Sequence, residues 1–253
     1  MMRAGTLVGV ASLLLASVAV ADVKETEEFS FEIDTGGRVS LENINGDIRI
    51  TGVGDKVKVT AHKKAGSQEY MDELKVIIDA DADYIRIETR HPEGGNRWSN
   101  WGKDRSGSVS YELKVPASLH LDTISTVNGS VHISAVKGSV KAETVNGDLD
   151  VSGLSANVDL ETVNGGIEAD FDSLGGSQRV SAEAVNGKII FRLPANASAR
   201  ISAETVNGGI DADEFGLEPE KGFVGRELDG KVGDGNARVS LETVNGSIRI
   251  TRK

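Results

Sequence analysis

The chain has 253 residues, with 28 Lys plus Arg against 39 Asp plus Glu, a net charge of -11 and no cysteine. That acidic balance opposes binding to a phosphate backbone, which requires concentrated positive charge, so no nucleic-acid partner is expected. With 30 Gly but only two Trp, three Tyr and six Phe, the chain can fill a thin core of Val, Ile, Leu, Ala and Thr, not a thick one of aromatic rings.

Residues 1–21 carry Arg3, the apolar run TLVGVASLLLASVAV and the small residues Ala19, Val20 and Ala21, the layout of a signal peptide cleaved before Asp22. An uncleaved anchor is the alternative, but the run is short for a span of roughly 20 residues. The expectation is export, with the periplasm as default destination, the cell surface as alternative, and no transmembrane segment after cleavage. Residues 22–253 are expected to form one repetitive domain. Without Cys it can have neither a lipid-modified thiol nor a disulfide.

Strand patterns begin with SFEIDTG and continue through GRVSLENI, NGDIRITGV and GDKVKVTAH. The stretch SQEYMDEL, 67–74, is the one helical candidate and is expected at the periphery; KVIIDA and YIRIETRH then return to strand. Residues 91–108 break the pattern. They hold both tryptophans in a Gly-, Asn- and Ser-rich loop, and Arg97, Trp98, Trp101, Lys103 and Arg105 form a candidate binding loop. Its indoles suit stacking on a sugar ring, or folding back to cap an open end of the domain.

A repeat organises the rest. Asn-Gly pairs fall at Asn45-Gly46, Asn128-Gly129, Asn146-Gly147, Asn164-Gly165, Asn186-Gly187, Asn207-Gly208 and Asn245-Gly246, with steps of 18, 18, 22, 21 and 38 from the second pair onward. A half-step of 9 appears within the regular part, in VNGSVHISA, VKGSVKAET and VNGDLDVSG. Each half-step alternates apolar and polar residues, as in Val131-His132-Ile133 and Leu149-Asp150-Val151, which is a strand period. The insert 213–236, with Phe215 and Phe223, departs from the repeat and is expected to be a flap or cap. The unit LETVNGSIRI, 241–250, resumes the pattern and is expected to be the last coil.

Two layouts satisfy this periodicity. Asn-Gly between alternating strands is a strong hairpin signal, since both residues of a type I′ turn need positive φ, and would give an antiparallel meander or sandwich. A β-solenoid instead stacks coils of two strands each and places Gly and Asn at the corners. The segments SLENINGDIRITG, YELKVPASLHLDTISTVNGSVHISAVKGSVKAETVNGDLDV and GNARVSLETVNGSIRI resemble the bacterial adhesin-like family known as DUF4097. That resemblance spans most of residues 22–253. It implies an all-β, single-stranded right-handed β-helix, and it brings no catalytic residues with it.

The chemistry on the repeat is sparse. Glu42, Glu143, Glu161, Glu183, Glu204 and Glu242 recur just before each Asn; on stacked coils they would stand about 5 Å apart and repel. A cation row over Glu143, Glu161, Glu183 and Glu204, joined by Asp148, Asp150, Asp159 and Asp170, is one reading, and a solvated acidic face is the other. The Asn column and Thr126, Thr144, Thr162, Thr205 and Thr243 are expected to bond between coils. His62, His91, His120 and His132 lack metal-ligand spacing, and neither a phosphate loop nor a nucleophile elbow is present, so no cofactor is expected. The expected function is a noncatalytic exported cell-envelope scaffold or interaction surface, with an envelope protein, a polysaccharide or a second copy as partner. The alternatives are a carbohydrate-binding or adhesion module using Trp98 and Trp101, or a polysaccharide-active enzyme with paired carboxylates.

Overall fold

The computed structural model describes residues 22–92, 106–222 and 224–253. The 1–21 segment, the candidate loop residues Arg97, Trp98, Trp101, Lys103 and Arg105, and Phe223 lie outside the described residues.

Two sheets organise the chain. The 10-stranded sheet runs, edge to edge, β1 (Val23–Phe31), β4 (Val57–Ala65), β7 (Gly107–Val115), β3 (Ile48–Gly52), β9 (Val131–Ser134), β11 (Leu149–Leu154), β13 (Ile167–Phe171), β15 (Ile189–Leu193), β21 (Ile248–Arg252) and β17 (Ile210–Asp211). The 11-stranded sheet runs β18 (Glu220–Lys221), β19 (Arg226–Val232), β16 (Ala199–Asn207), β20 (Ala237–Asn245), β14 (Arg179–Asn186), β12 (Val158–Asn164), β10 (Val140–Asn146), β8 (His120–Asn128), β2 (Arg38–Glu42), β6 (Tyr84–Arg90) and β5 (Lys75–Ala80).

One strand from each sheet, joined at an Asn-Gly corner, makes a coil, as in β10 with β11 and β12 with β13. Neighbouring coils pair in parallel and in register: Val140 faces Val158, Glu143 faces Glu161 and Asn146 faces Asn164, while Leu149 faces Ile167 in the other sheet. The fold is an all-β solenoid. An antiparallel meander is ruled out because the two strands flanking each Asn-Gly lie in different sheets and pair with equivalent strands of the next coil, not with each other.

Alternation decides what goes inside. In β10, Val140, Ala142 and Thr144 are buried, while Lys141, Glu143 and Val145 face outward. Stacked on this rule, Leu41, Leu160 and Leu241 from one sheet and Ile167, Ile189 and Ile248 from the other are fully buried. The few rings pack with one another or find polar partners. Phe171 and Phe191 of adjacent coils lie 5.4 Å apart. The buried Tyr111 hydroxyl hydrogen-bonds Thr89 Oγ1 at 2.6 Å, and burial pushes its pKa up to about 12.

Antiparallel strands finish both sheets at the N-terminal side and the 11-stranded sheet at the far side, where the 10-stranded sheet ends in the parallel β17. β1, β4 and β7 close one sheet and β5 with β6 the other at the N-terminal side. Between them α1 (Gln68–Glu73) is capped by Ser67 Oγ, which accepts from Tyr70 N at 3.2 Å. The helix is more than peripheral, because it buries Tyr70 and Met71, with Leu74 just beyond, against the core. At the far side the insert supplies β19, which runs antiparallel along β16 from Ala199 opposite Val232 to Thr205 opposite Arg226. It covers a row of backbone donors and acceptors that would otherwise invite another chain.

Stack order departs from chain order on both sides: near the N-terminus β6 and β7 lie outside β2 and β3, to which β8 and β9 return, and the far side has its own rearrangement. β20 lies between β14 and β16, and β21 between β15 and β17. The 241–250 unit is therefore not the end coil. The insert carries the chain outward as β19, and the chain then returns to fill the position between two coils made earlier.

Candidate functional site

The Asn-Gly corners are built from three side-by-side columns. Each Asn after Asn45 donates its amide to the side-chain oxygen of the Asn one coil away: Asn128 to Asn45 at 2.8 Å, Asn146 to Asn128, Asn164 to Asn146 and Asn186 to Asn164 at 2.9 Å, then Asn245 to Asn186 at 2.8 Å and Asn207 to Asn245 at 2.9 Å, while Asn45 itself donates to Gly107 O at 3.4 Å. Each glycine sits too close to its neighbour for a side chain; a Cβ on Gly147, Gly165 or Gly187 would fall 2.0, 1.9 or 1.7 Å from the preceding glycine's carbonyl oxygen. Those same carbonyls accept from the threonines, Thr144 Oγ1 to Gly129 at 2.9 Å and Thr162 Oγ1 to Gly147 at 3.1 Å. Thr126, Thr205 and Thr243 do likewise. Positive φ is not the reason for most of these glycines, since Gly46 is the one corner glycine with φ in that region.

The outward face of the 11-stranded sheet is banded. Along β14 the outward positions are Arg179, Ser181, Glu183 and Val185, and β20 and β16 repeat them as Arg238, Ser240, Glu242, Val244 and Arg200, Ser202, Glu204, Val206. The acidic column continues through Glu161 and Glu143 to Ser125, Glu42 and Glu88, and on the other side to Glu227. The apolar column is Ile44, Val127, Val145, Val163, Val185, Val244 and Val206, all exposed. The basic column holds Arg38, Arg179, Arg238, Arg200 and Lys231. Two shallow grooves divide this face, one of about 650 Å³ over the basic side and one of about 520 Å³ over the Glu and Val columns.

Charge in the acidic column is countered by Arg86 on Glu42 at 3.0 Å, by Arg90 on Glu88 at 3.6 Å and, in the middle of the row, by a lysine. Lys141 Nζ reaches Glu143 at 3.0 Å, Asp159 at 3.1 Å and Glu161 at 3.7 Å, and hydrogen bonds to Glu143 and Asp159 raise its pKa. Further along, burial followed by repulsion from Glu242, Glu161 and Asp159 raises the pKa of Glu183. Asp148, Asp150 and Asp170 do not join the row. They lie on or beside the other sheet, where Asp148 accepts from Gly166 N, Asp150 faces His132 at 3.6 Å and Asp170 pairs with Lys253 at 2.7 Å. Among the described residues no three carboxylate or imidazole groups converge as a metal site.

The histidines are scattered, each with a local partner: Thr26 for His62, Tyr70 for His91, Ser139 for His120 and Asp150 for His132. Burial lowers the pKa of His91. No described helix is long and apolar enough to cross a membrane.

The basic column is not among the sites that the sequence motifs suggest. Its signal is there: Arg38, Arg179, Arg200 and Arg238 each stand seven residues before a corner Asn. The glutamates nearer the Asn are the more conspicuous column because they recur on more coils.

Residues 37–251 match the model of a protein family described as Toastrack DUF4097. The chain belongs to the Toastrack DUF4097 family. Solved structures similar to this Toastrack chain include a "putative cell adhesion protein" from Clostridium sporogenes, 15% identical with a TM-score of 0.45, covering 90% of this chain and 100% of that one. A "putative adhesin" from Bacteroides fragilis is 13% identical with a TM-score of 0.43, covering 89% and 97%. A "putative lipid binding protein" from Parabacteroides distasonis is 11% identical with a TM-score of 0.33, covering 90% and 96%. Among curated proteins no match is found.

Proposed function

We propose that this Toastrack protein is a noncatalytic, exported component of the cell envelope, in the periplasm, whose banded sheet face is an interaction surface. The observation that carries the reading is the repetition of Arg, Ser, Glu and Val on successive coils of β14, β20 and β16. Repetition offers an extended partner the same contacts at every rung, whereas catalysis needs unlike groups converging on one reacting atom. Export is supported by Arg3, the apolar run after it and the small residues at 19–21.

The test is co-sedimentation of the purified 22–253 chain with washed envelope fragments, with the same chain unfolded by heat as control. Retention of the folded chain on the fragments is expected. A folded chain that stays in the supernatant at every protein concentration overturns the interaction reading, and recovery of the tagged full-length protein in the cytoplasmic fraction overturns export.

A further inference from the structure

We infer that the basic column at the start of the 11-stranded sheet's strands binds a carboxylated polysaccharide, an inference that rests on the interaction reading above and names its ligand class. Arg179, Arg238 and Arg200 are direct neighbours on three adjacent parallel strands, and Lys231 on β19 extends the row. Neighbouring strands stand about 4.8 Å apart. Like charges set directly opposite one another in this way destabilise a sheet.

Elsewhere on this face the protein supplies its own counter-charges. Arg38, in the same column, pairs with Asp122 at 3.3 Å, and Lys141 holds two glutamates and an aspartate. Arg179, Arg238, Arg200 and Lys231 have no ion-pair partner among the described residues. The acidic column is about 13 Å away along the strands. That exceeds the Debye length of about 8 Å at physiological salt, so the glutamates leave the row largely unneutralised. Nearer carboxylates stand in the serine column or beside it: Asp122 is held by Arg38, Asp159 by Lys141, and Asp229 offsets one of the row's four charges, so an external anion supplies the remaining counter-charge.

The groove over this row decides which anion. Its wall joins the three arginines to Ser181, Ser240 and Ser202, with Lys141, Asp122, Asp159 and Asp229 along the same groove, and no aromatic ring among the described residues lines it. Guanidinium groups pair in a fork with carboxylates. Serine hydroxyls both donate and accept, which suits a ligand bearing hydroxyls beside its anionic groups, as a uronic-acid polymer does. A nucleic acid would lack the stacking platform it uses elsewhere.

A second copy of this chain also offers spaced carboxylates. A two-fold axis laid along the serine column would set each Arg on the equivalent Glu of the other copy. The same operation sets Lys141, Asp159 and Asp229 each upon itself, because all three lie in the serine column. A polysaccharide following the arginine row lies two residues to one side of Asp159 and Asp229 and sets no like charge directly upon itself.

The experiment is calorimetric titration of the 22–253 chain with polygalacturonate, in low and physiological salt. The comparisons are an R179Q/R200Q/R238Q variant and an R49Q/K188Q/R249Q control that loses the same charge from the other sheet. Wild type and control are expected to bind, more weakly as salt rises, and neither to bind neutral dextran; the arginine variant is expected to lose about tenfold or more. If circular dichroism finds that variant unfolded, Arg238→Gln alone carries the test, with a loss of several-fold expected. Equal binding by wild type and arginine variants overturns the site, as does tighter binding of inorganic polyphosphate, or a wild-type dimer in sedimentation that the arginine variant loses. A wild type that retains envelope fragments but ignores polygalacturonate overturns this site alone, whereas one that binds neither overturns the proposed function too.

Discussion

A Cβ on Gly147 would stand 2.0 Å from the carbonyl oxygen of Gly129 in the neighbouring coil. No backbone neighbour of that kind can yield without opening the stack. Gly147→Ala is expected to cost about 3 kcal/mol, the upper end of ordinary overpacking, read as a lowered urea midpoint. Gly209 is the matched control: nothing lies within 4 Å of its Cβ position and its φ is not positive. Gly209→Ala should leave the midpoint unchanged or raise it slightly through the unfolded chain's lost freedom. Equal losses for the two variants would contradict the close-approach argument.

Ala184 interrupts the threonine column. It occupies the position of Thr162 on one side and Thr243 on the other, and it is 5% exposed. The pattern of the other threonines assigns Gly165 the carbonyl left without that donor. Ala184→Thr is expected to add one such bond and stabilise the protein by about 1 kcal/mol or less. Thermal melting checks it, and a lowered Tm would mean that the column has no room at this rung.

Glu183 carries a raised pKa, from burial first and then from Glu242, Glu161 and Asp159. A carboxyl whose folded pKa lies above its unfolded value favours folding when protonated. Stability therefore falls as pH rises through the folded pKa and stays reduced at neutrality. Glu183→Gln should raise Tm at pH 7 by about 1–2 °C, a small effect because the side chain is solvent-exposed. The gain should vanish below the ordinary value of 4.5. A gain that persists at pH 3.5 would point to packing instead of charge.

Asp172 has the opposite sign. Hydrogen bonds from Lys137 and then Lys253 lower its pKa to about 2. Its contribution is present above the unfolded carboxylate value of about 3.9 and is lost as pH falls toward 2. Asp172→Asn should lower Tm at pH 7 by about 1–3 °C, with the two proteins converging between pH 4 and 2 and also in 1 M salt. A deficit unchanged by acid or salt would remove the ion-pair explanation.

These contacts separate what local sequence can express from what it cannot. The strands of the coils follow from alternation, and the Asn and Glu columns follow from their constant offsets. The role of the glycines does not. A turn rule looks at one chain segment and asks about φ, while Gly147 is needed because of Gly129, a residue brought near by stacking. Neighbour order was hidden for a related reason. Steps of 22 and 21 lead from Asn164 to Asn186 to Asn207, as if those coils were successive, yet Asn186 hands its ladder to Asn245. Register pairs like with like, and five of the LETVNG-type units are interchangeable to that extent. The Tyr111 to Thr89 bond is equally illegible, since nothing in either strand's pattern names the other.

The placement of β20 and β21 changes what truncation means for this protein. In an ordinary repeat array, trimming from one end yields a shorter array, because each unit leans only on its neighbours. Here the segment 237–252 is a keystone. Until it arrives, β16 has β19 on one flank and nothing on the other, and β14 and β15 end in open edges. A chain ending at residue 236 would not be a solenoid one coil shorter but one with a coil hanging loose beside a gap, its strand edges available to proteases and to other chains. Completion of the fold thus waits on residues 237–252, and a chain that has not yet delivered them is marked as unfinished by its own exposed edges.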